Sequence, residues 1–136
     1  MKTPALVAVE SGPEAFATLF ASARKRGLRL GWLELAPPPP LGGALEAAAA
    51  AGALRAVAVD GTRAVSVKPV RGAPVLRDLL REHFLGCVIV FVRGREGRPR
   101  LAPSPGGFRL EVGDAAAREL DAEATLDELV RPRHRA

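Results

Sequence analysis

The chain has 136 residues, 48% of them hydrophobic and 26% charged, a balance that suits a globular fold and excludes a wholly disordered one. At this length a domain buries roughly two thirds of its unfolded surface, so a core can form without disulfides or a structural metal. The net charge is +5, with arginine supplying 17 of the 20 basic residues, which admits anionic partners without identifying any.

Lys2, Thr3 and Pro4 lead into a short apolar run, Ala5 to Val9, closed by Glu10-Ser11-Gly12. Its length predicts a buried strand and is too short for a signal-peptide core. From Pro13 to Arg26, Phe16, Leu19, Phe20 and Ala23 recur at helical spacing, and Arg24, Lys25 and Arg26 face the negative end of the helix before Gly27 stops it. Ser11 and Glu14 stand at capping-box spacing. Leu28 to Leu35 alternates and reads as a second strand, so strand, helix and strand make a βαβ unit with a right-handed crossover and a parallel pairing.

Pro37 to Pro40 predicts a stiff surface connection. The alanine-rich stretch Gly43 to Ala51 predicts a packed helix. Val57 and Val59, then Asp60-Gly61, then Val65 and Val67 signal a hairpin, with Arg63, Ser66 and Lys68 pointing outward or along an edge. Val75, Leu76, Leu79, Leu80 and Phe84 mark a further helix over 74–84, ended by Gly86. Cys87 to Val92 is the best candidate for a central strand buried on both faces. Residues 93–107 read as a Gly/Pro/Arg loop, interrupted at most by a short strand around Leu101. Phe108 to Val112 reads as an edge strand and Ala124 to Val130 as a helix capped by Asp121.

The expected architecture is α/β: a single three-layer domain over residues 1–130, with a mostly parallel sheet, a hairpin and an antiparallel edge strand. The basic tail, residues 131–136, is expected to be disordered. Nothing approaches 18 consecutive apolar residues, so no membrane partner is expected. The lone Cys87 excludes an internal disulfide and fits a reducing compartment, with the cytoplasm as the expected location.

The order of Ala5 to Val9, Glu10-Ser11-Gly12, a helix ending in Lys25-Arg26-Gly27 and Leu28-Arg29-Leu30-Gly31 resembles the P-loop adaptor proteins of molybdopterin-guanine dinucleotide biosynthesis. Ala51-Gly52-Ala53 before a hairpin, the apolar strand ending in Arg93-Gly94, and Leu120-Asp121-Ala122-Glu123 before a short helix extend the resemblance over most of the chain. It implies a P-loop-NTPase-like layout and an adaptor role linked to molybdenum cofactor biosynthesis. The family opens its helix with a Gly-Lys-Thr-Thr type phosphate loop, and there this sequence departs. Such a loop needs backbone amides around the phosphate, a lysine for the β/γ oxygens and a hydroxyl for Mg²⁺. Gly12 is followed instead by Pro13-Glu14-Ala15, and Pro13 has no amide proton to offer. The family's later acidic positions correspond to Cys87 and Arg93. Ser11, Gly12, Pro13 and Glu14 are therefore degenerate phosphate-loop positions, and neither NTP hydrolysis nor a cofactor is expected.

Arg93, Arg95, Arg98 and Arg100 follow the central strand directly, at the edge where open α/β sheets bind ligands. With Lys68 and Arg71 they form a candidate anion- or partner-binding rim; a solvated basic loop is the alternative. The expected partner is a protein, a second copy of the chain being one candidate. His83 and Cys87, four residues apart, offer a thiol–imidazole pair for a small thiol-dependent enzyme, against the reading of Cys87 as a small core residue. Two histidines and one cysteine give no metal-ligand spacing, and no metal is expected. A basic nucleic-acid-associated module is the other alternative, limited to weak, non-specific phosphate attraction. Asn and Gln are absent, and there is no tyrosine and only one tryptophan to stack on bases.

Overall fold

The computed structural model describes residues 3–35, 43–68, 72 and 75–136. The chain divides into two compact units, Met1–Pro37 with His83–Ala136, and Pro38–Glu82. The division falls inside the proline run; the connection expected at Pro37 to Pro40 lies outside the described residues, as does Arg71.

The larger unit is built on a six-stranded mixed sheet. Its strands are β1 (Ala5–Val9), β2 (Leu30–Glu34), β5 (Ile89–Arg93), β6 (Arg100–Ser104), β7 (Gly107–Glu111) and β8 (Arg118–Leu120), in the order β2-β5-β1-β6-β7-β8. The pairings of β2 with β5, β5 with β1 and β1 with β6 are parallel, and the last two are antiparallel. The expected βαβ unit forms, but β5 inserts between β1 and β2 and becomes a central strand. Its apolar run explains the place: Ile89, Val90, Phe91 and Val92 are all fully buried, as both faces of a central parallel strand require.

The smaller unit holds α2 (Gly43–Ala50), the antiparallel hairpin of β3 (Ala56–Asp60) and β4 (Arg63–Val67), and most of α3 (Leu76–His83). The hairpin turns on Gly61-Thr62, with Gly61 at φ +55°, a conformation glycine adopts without a Cβ clash. Ala56 is buried, but the packing expected of this unit is slight. Val57, Val59 and Val65 are exposed, Val59 at 74%, and no residue of α2 is buried. Two strands alone cannot enclose a face, so alternation in this hairpin marks strand geometry without marking a core.

One face of the large sheet carries the core. Val7, Val9, Ile89 and Phe91 meet Phe16 and Leu19 from the segment after β1 and Leu126 and Leu129 from α4 (Ala122–Leu129), with Leu101, Phe108 and Leu110 completing it. Phe16 stacks on Phe91 at 5.7 Å and on Phe108 at 6.0 Å between ring centroids. The predicted helix over 13–26 is divided into a 3-10 turn, Pro13–Phe16, and α1 (Ala17–Lys25). Arg26, just after α1, reaches Glu123 at 3.2 Å and Asp127 at 2.7 Å on α4, so both helices cover the same face. Asp121 caps α4 as expected, accepting from Ala124 N at 2.7 Å.

Two expectations are corrected in this unit. The short strand around Leu101 is β6, and it makes Phe108 to Val112 other than the expected edge, since β6 pairs with one side of β7 through Leu101–Leu110 and Pro103–Phe108. Pro103 is tolerated there because β6 meets β1 only near Ala8 and Arg100, leaving its later amides unclaimed on that side. β7 is consequently interior, and the short β8 is the edge. The tail, second, is ordered. Pro132–His134 forms a 3-10 turn, Arg135 bridges to Ala5, and Ala136 N donates to Pro4 O at 2.9 Å.

What orders the tail is Glu128, only 4% exposed. Its carboxylate takes Arg133 Nη2 at 2.7 Å, His134 Nε2 at 2.9 Å, Arg118 Nη1 at 3.0 Å and Arg131 Nε at 3.5 Å. The hydrogen bonds from His134 first, then Arg133 and Arg118, outweigh burial and hold the carboxyl down at about 2. Among the described residues no helix is long and apolar enough to cross a membrane.

Candidate functional site: the carboxyl edge of the parallel strands

The register of β2, β5 and β1 decides what meets at their carboxyl ends. Glu34 pairs with Arg93 and Arg93 with Val9, so the last residues of three adjacent strands stand level and Glu10 follows at once. The connections then diverge. β1 leaves through α1 toward β2, whereas β5 leaves toward β6 on the far side of β1. A crevice outside two such strands is where open α/β sheets bind ligands.

In this chain the crevice is occupied by its own side chains. Arg93 Nε donates to Glu10 O at 3.1 Å, and Arg93 Nη1 to Glu34 Oε1 at 3.4 Å. Trp32 Nε1 donates to the same Glu34 oxygen at 2.9 Å and fixes it. Arg100, opening β6, pairs with the Glu10 carboxylate. A Cβ built on Gly12 would lie 3.7 Å from Arg93 Nη1 and 2.6 Å from Glu14 Oε2, so the arginine and the Glu14 carboxylate both approach the turn after β1.

The capping box expected of Ser11 and Glu14 does not form. Gly12 is the cap residue, in an extended conformation, with no side-chain hydrogen bond to the turn. Pro13 at the first helical position has no amide to be capped, and the tighter 3-10 turn closes on Gly12 O through Ala15 N at 3.1 Å. Glu14 nevertheless brings negative charge to the place a phosphate would take.

The arginine run is divided by the fold. Arg93 and Arg100 are tied to carboxylates at the mouth, whereas Arg98 donates Nε to Glu111 at 3.2 Å and Nη1 to Gly113 O at 3.0 Å. Arg95 has no hydrogen bond or ion pair among the described residues. It borders a cavity of about 290 Å³ with Arg93 and Arg100, and another of about 300 Å³ with Arg98. Lys68 belongs to the smaller unit, where Glu82 holds it at 2.6 Å.

Cys87 faces Gly31 of β2, where an added Cβ would come within 3.4 Å of Sγ and 2.5 Å of the Phe84 ring. Burial pushes its thiol up, against the pull of the Arg29 charge, the reverse of an activated nucleophile. His83 packs its ring against Phe84 at 6.4 Å. Among the described residues no group of three or more His, Cys, Asp or Glu side chains is placed to hold a metal ion.

Sequence reasoning missed Arg133 and Arg135, which line the 300 Å³ cavity with Arg95 and Arg98. The signal was present: Glu128 lies five and six residues before Arg133 and His134, and Pro132 suits the first position of a short turn. No family model matches the chain, and neither does any curated protein sequence. The adaptor resemblance rests on the residues quoted for it.

Proposed function

We propose that this chain is a non-catalytic adaptor or scaffold domain of degenerate P-loop type, which contacts a protein partner or an anionic ligand through the Arg93 to Arg100 connection. The observation that carries the reading is the self-occupied crevice. Arg93 is bound to Glu10 O and Glu34, and the Glu14 carboxylate lies beside Gly12, so the turn after β1 meets a phosphate with a negative group and an arginine that is already paired. The lysine and hydroxyl that phosphoryl transfer requires are absent from that turn. What remains available to a ligand is the outer part of the connection, where Arg95 has no partner among the described residues and Arg98 is held by Glu111 and Gly113 O. A link to molybdenum cofactor biosynthesis has the sequence resemblance as its support.

The test is phosphate release from ATP and GTP with Mg²⁺, followed with purified protein in excess over any contaminating activity. No turnover is expected, and protein-dependent turnover abolished by Gly12→Val would overturn the reading.

A further inference from the structure

We propose that the cavity between the Arg93 to Arg100 connection and the carboxyl-terminal turn is a binding site for a phosphate-type oxyanion, free or as the headgroup of a small phosphomonoester. The inference rests on the reading of the connection as a ligand-contacting element and names the ligand class and the second wall of the site. The cavity, about 300 Å³, is lined by Arg95 and Arg98 from the connection, Arg133, His134 and Arg135 from the tail, and Leu6 of β1. That volume is at the small end for ligand pockets and suits a compact anion better than a dinucleotide.

The four guanidinium groups fall into two kinds. Arg98 is anchored by Glu111 and Gly113 O, and Arg133 by Glu128 Oε2 at 2.7 Å, with Arg133 Nε at 3.4 Å from His134 Nε2. These pairs fix two forks in place and offset only part of their charge, since Glu128 is shared with Arg118 and Arg131 and Glu111 with Arg109. Arg95 and Arg135 have no side-chain hydrogen bond or ion pair among the described residues, and they come from segments forty residues apart. Arg95 and Arg135 thus bring two side chains without a partner of their own to the lining of one cavity, which Ala136 also borders, and an anion bound between them would relieve their repulsion. Planar forks arriving from two walls suit an acceptor with three or more oxygens, whereas a carboxylate is satisfied by one fork.

The experiment is calorimetric titration of the full chain with inorganic phosphate at low ionic strength, on the native protein and on Arg95→Ala, Arg135→Ala and, as a control outside the cavity, Arg24→Ala. Each cavity variant is expected to bind phosphate about tenfold or more weakly, the loss of one charge-assisted hydrogen-bonding fork, while Arg24→Ala binds as the native chain does. Because the Arg95 and Arg135 side chains hold nothing else, both variants are expected to keep the native unfolding midpoint, so weaker binding is not misfolding. A phosphomonoester that competes with phosphate extends the site to esterified ligands; one that fails to compete leaves free phosphate as the ligand, within the same proposal.

Equal phosphate binding by all four proteins overturns the proposal, as does no heat at millimolar phosphate. Acetate binding as tightly as phosphate overturns the choice of oxyanion. Binding of an oligothymidylate that phosphate does not displace overturns it in favour of a nucleic-acid surface. Nucleotide turnover by the same native sample would sink the adaptor reading whatever phosphate does, so the two failures are distinguishable.

Discussion

Replacing Glu128 by glutamine isolates the contact that orders the carboxyl-terminal turn. The carboxyl is held at about 2 instead of 4.5, and a shift of that size corresponds to roughly 3 kcal/mol at about 1.4 kcal/mol per pH unit. The arginines that supply part of it are more than half exposed, so solvent screening brings the expected loss to about 1–2 kcal/mol. A carboxyl whose folded value lies below its unfolded value stabilises the fold fully above the unfolded value. That contribution fades as pH falls from about 4.5 toward 2. Urea unfolding of the native chain and Glu128→Gln, followed by Trp32 fluorescence, reads the difference directly. At pH 7 the variant is expected to be less stable by about 1–2 kcal/mol, equivalent to a thermal midpoint lower by roughly 3–8 °C. The two curves are expected to converge as pH approaches 2. A gap that stays constant from pH 7 to pH 2.5 would show that Glu128 acts through its shape and not its charge, and would refute the reasoning.

Three further outcomes are expected. Gly31→Ala drives a methyl group into the Phe84 ring and toward Cys87 Sγ, and is expected to cost about 1–3 kcal/mol in urea unfolding; pairing it with Phe84→Leu should recover part of the loss, and strict additivity would count against the contact. Phe91→Ala empties the centre of the aromatic cluster and is expected to cost about 3–5 kcal/mol, with a change in the emission of Trp32, whose ring centroid lies 6.1 Å away; unchanged emission would place Trp32 elsewhere. Cys87 is expected to react with a thiol reagent at neutral pH more slowly in the folded chain than in urea, and faster reaction in the folded state would contradict its raised thiol.

The sequence alone determined the strands and helices whose signal is local. The apolar runs at Ala5 to Val9 and Cys87 to Val92 mark buried strands, the second beginning at Ile89 with Cys87 and Val88 outside it; Asp121 marks the start of α4, and the valine alternation around Gly61 marks a hairpin, because each depends on residues within one turn or one strand. That Pro13-Glu14-Ala15 follows Gly12, in place of the lysine and hydroxyl residues of a phosphate loop, was equally legible, since it depends on residue types alone. Tertiary structure decided what no local window contains. Arg93 meets Glu10 across 83 positions and Glu34 across 59, and only the level register of β2, β5 and β1 brings them together. The short strand around Leu101 was legible, but its full extent over residues 100–104, through Pro103, is set by β7, which supplies a complete antiparallel partner. The tail, whose charge alone argues for disorder, is held by a buried carboxylate on the preceding helix and by backbone pairing with the start of β1. Side-chain and backbone pairing between distant segments outweighs local preference wherever burial makes an unpaired group expensive, and those segments build both the closed crevice and the arginine-lined cavity.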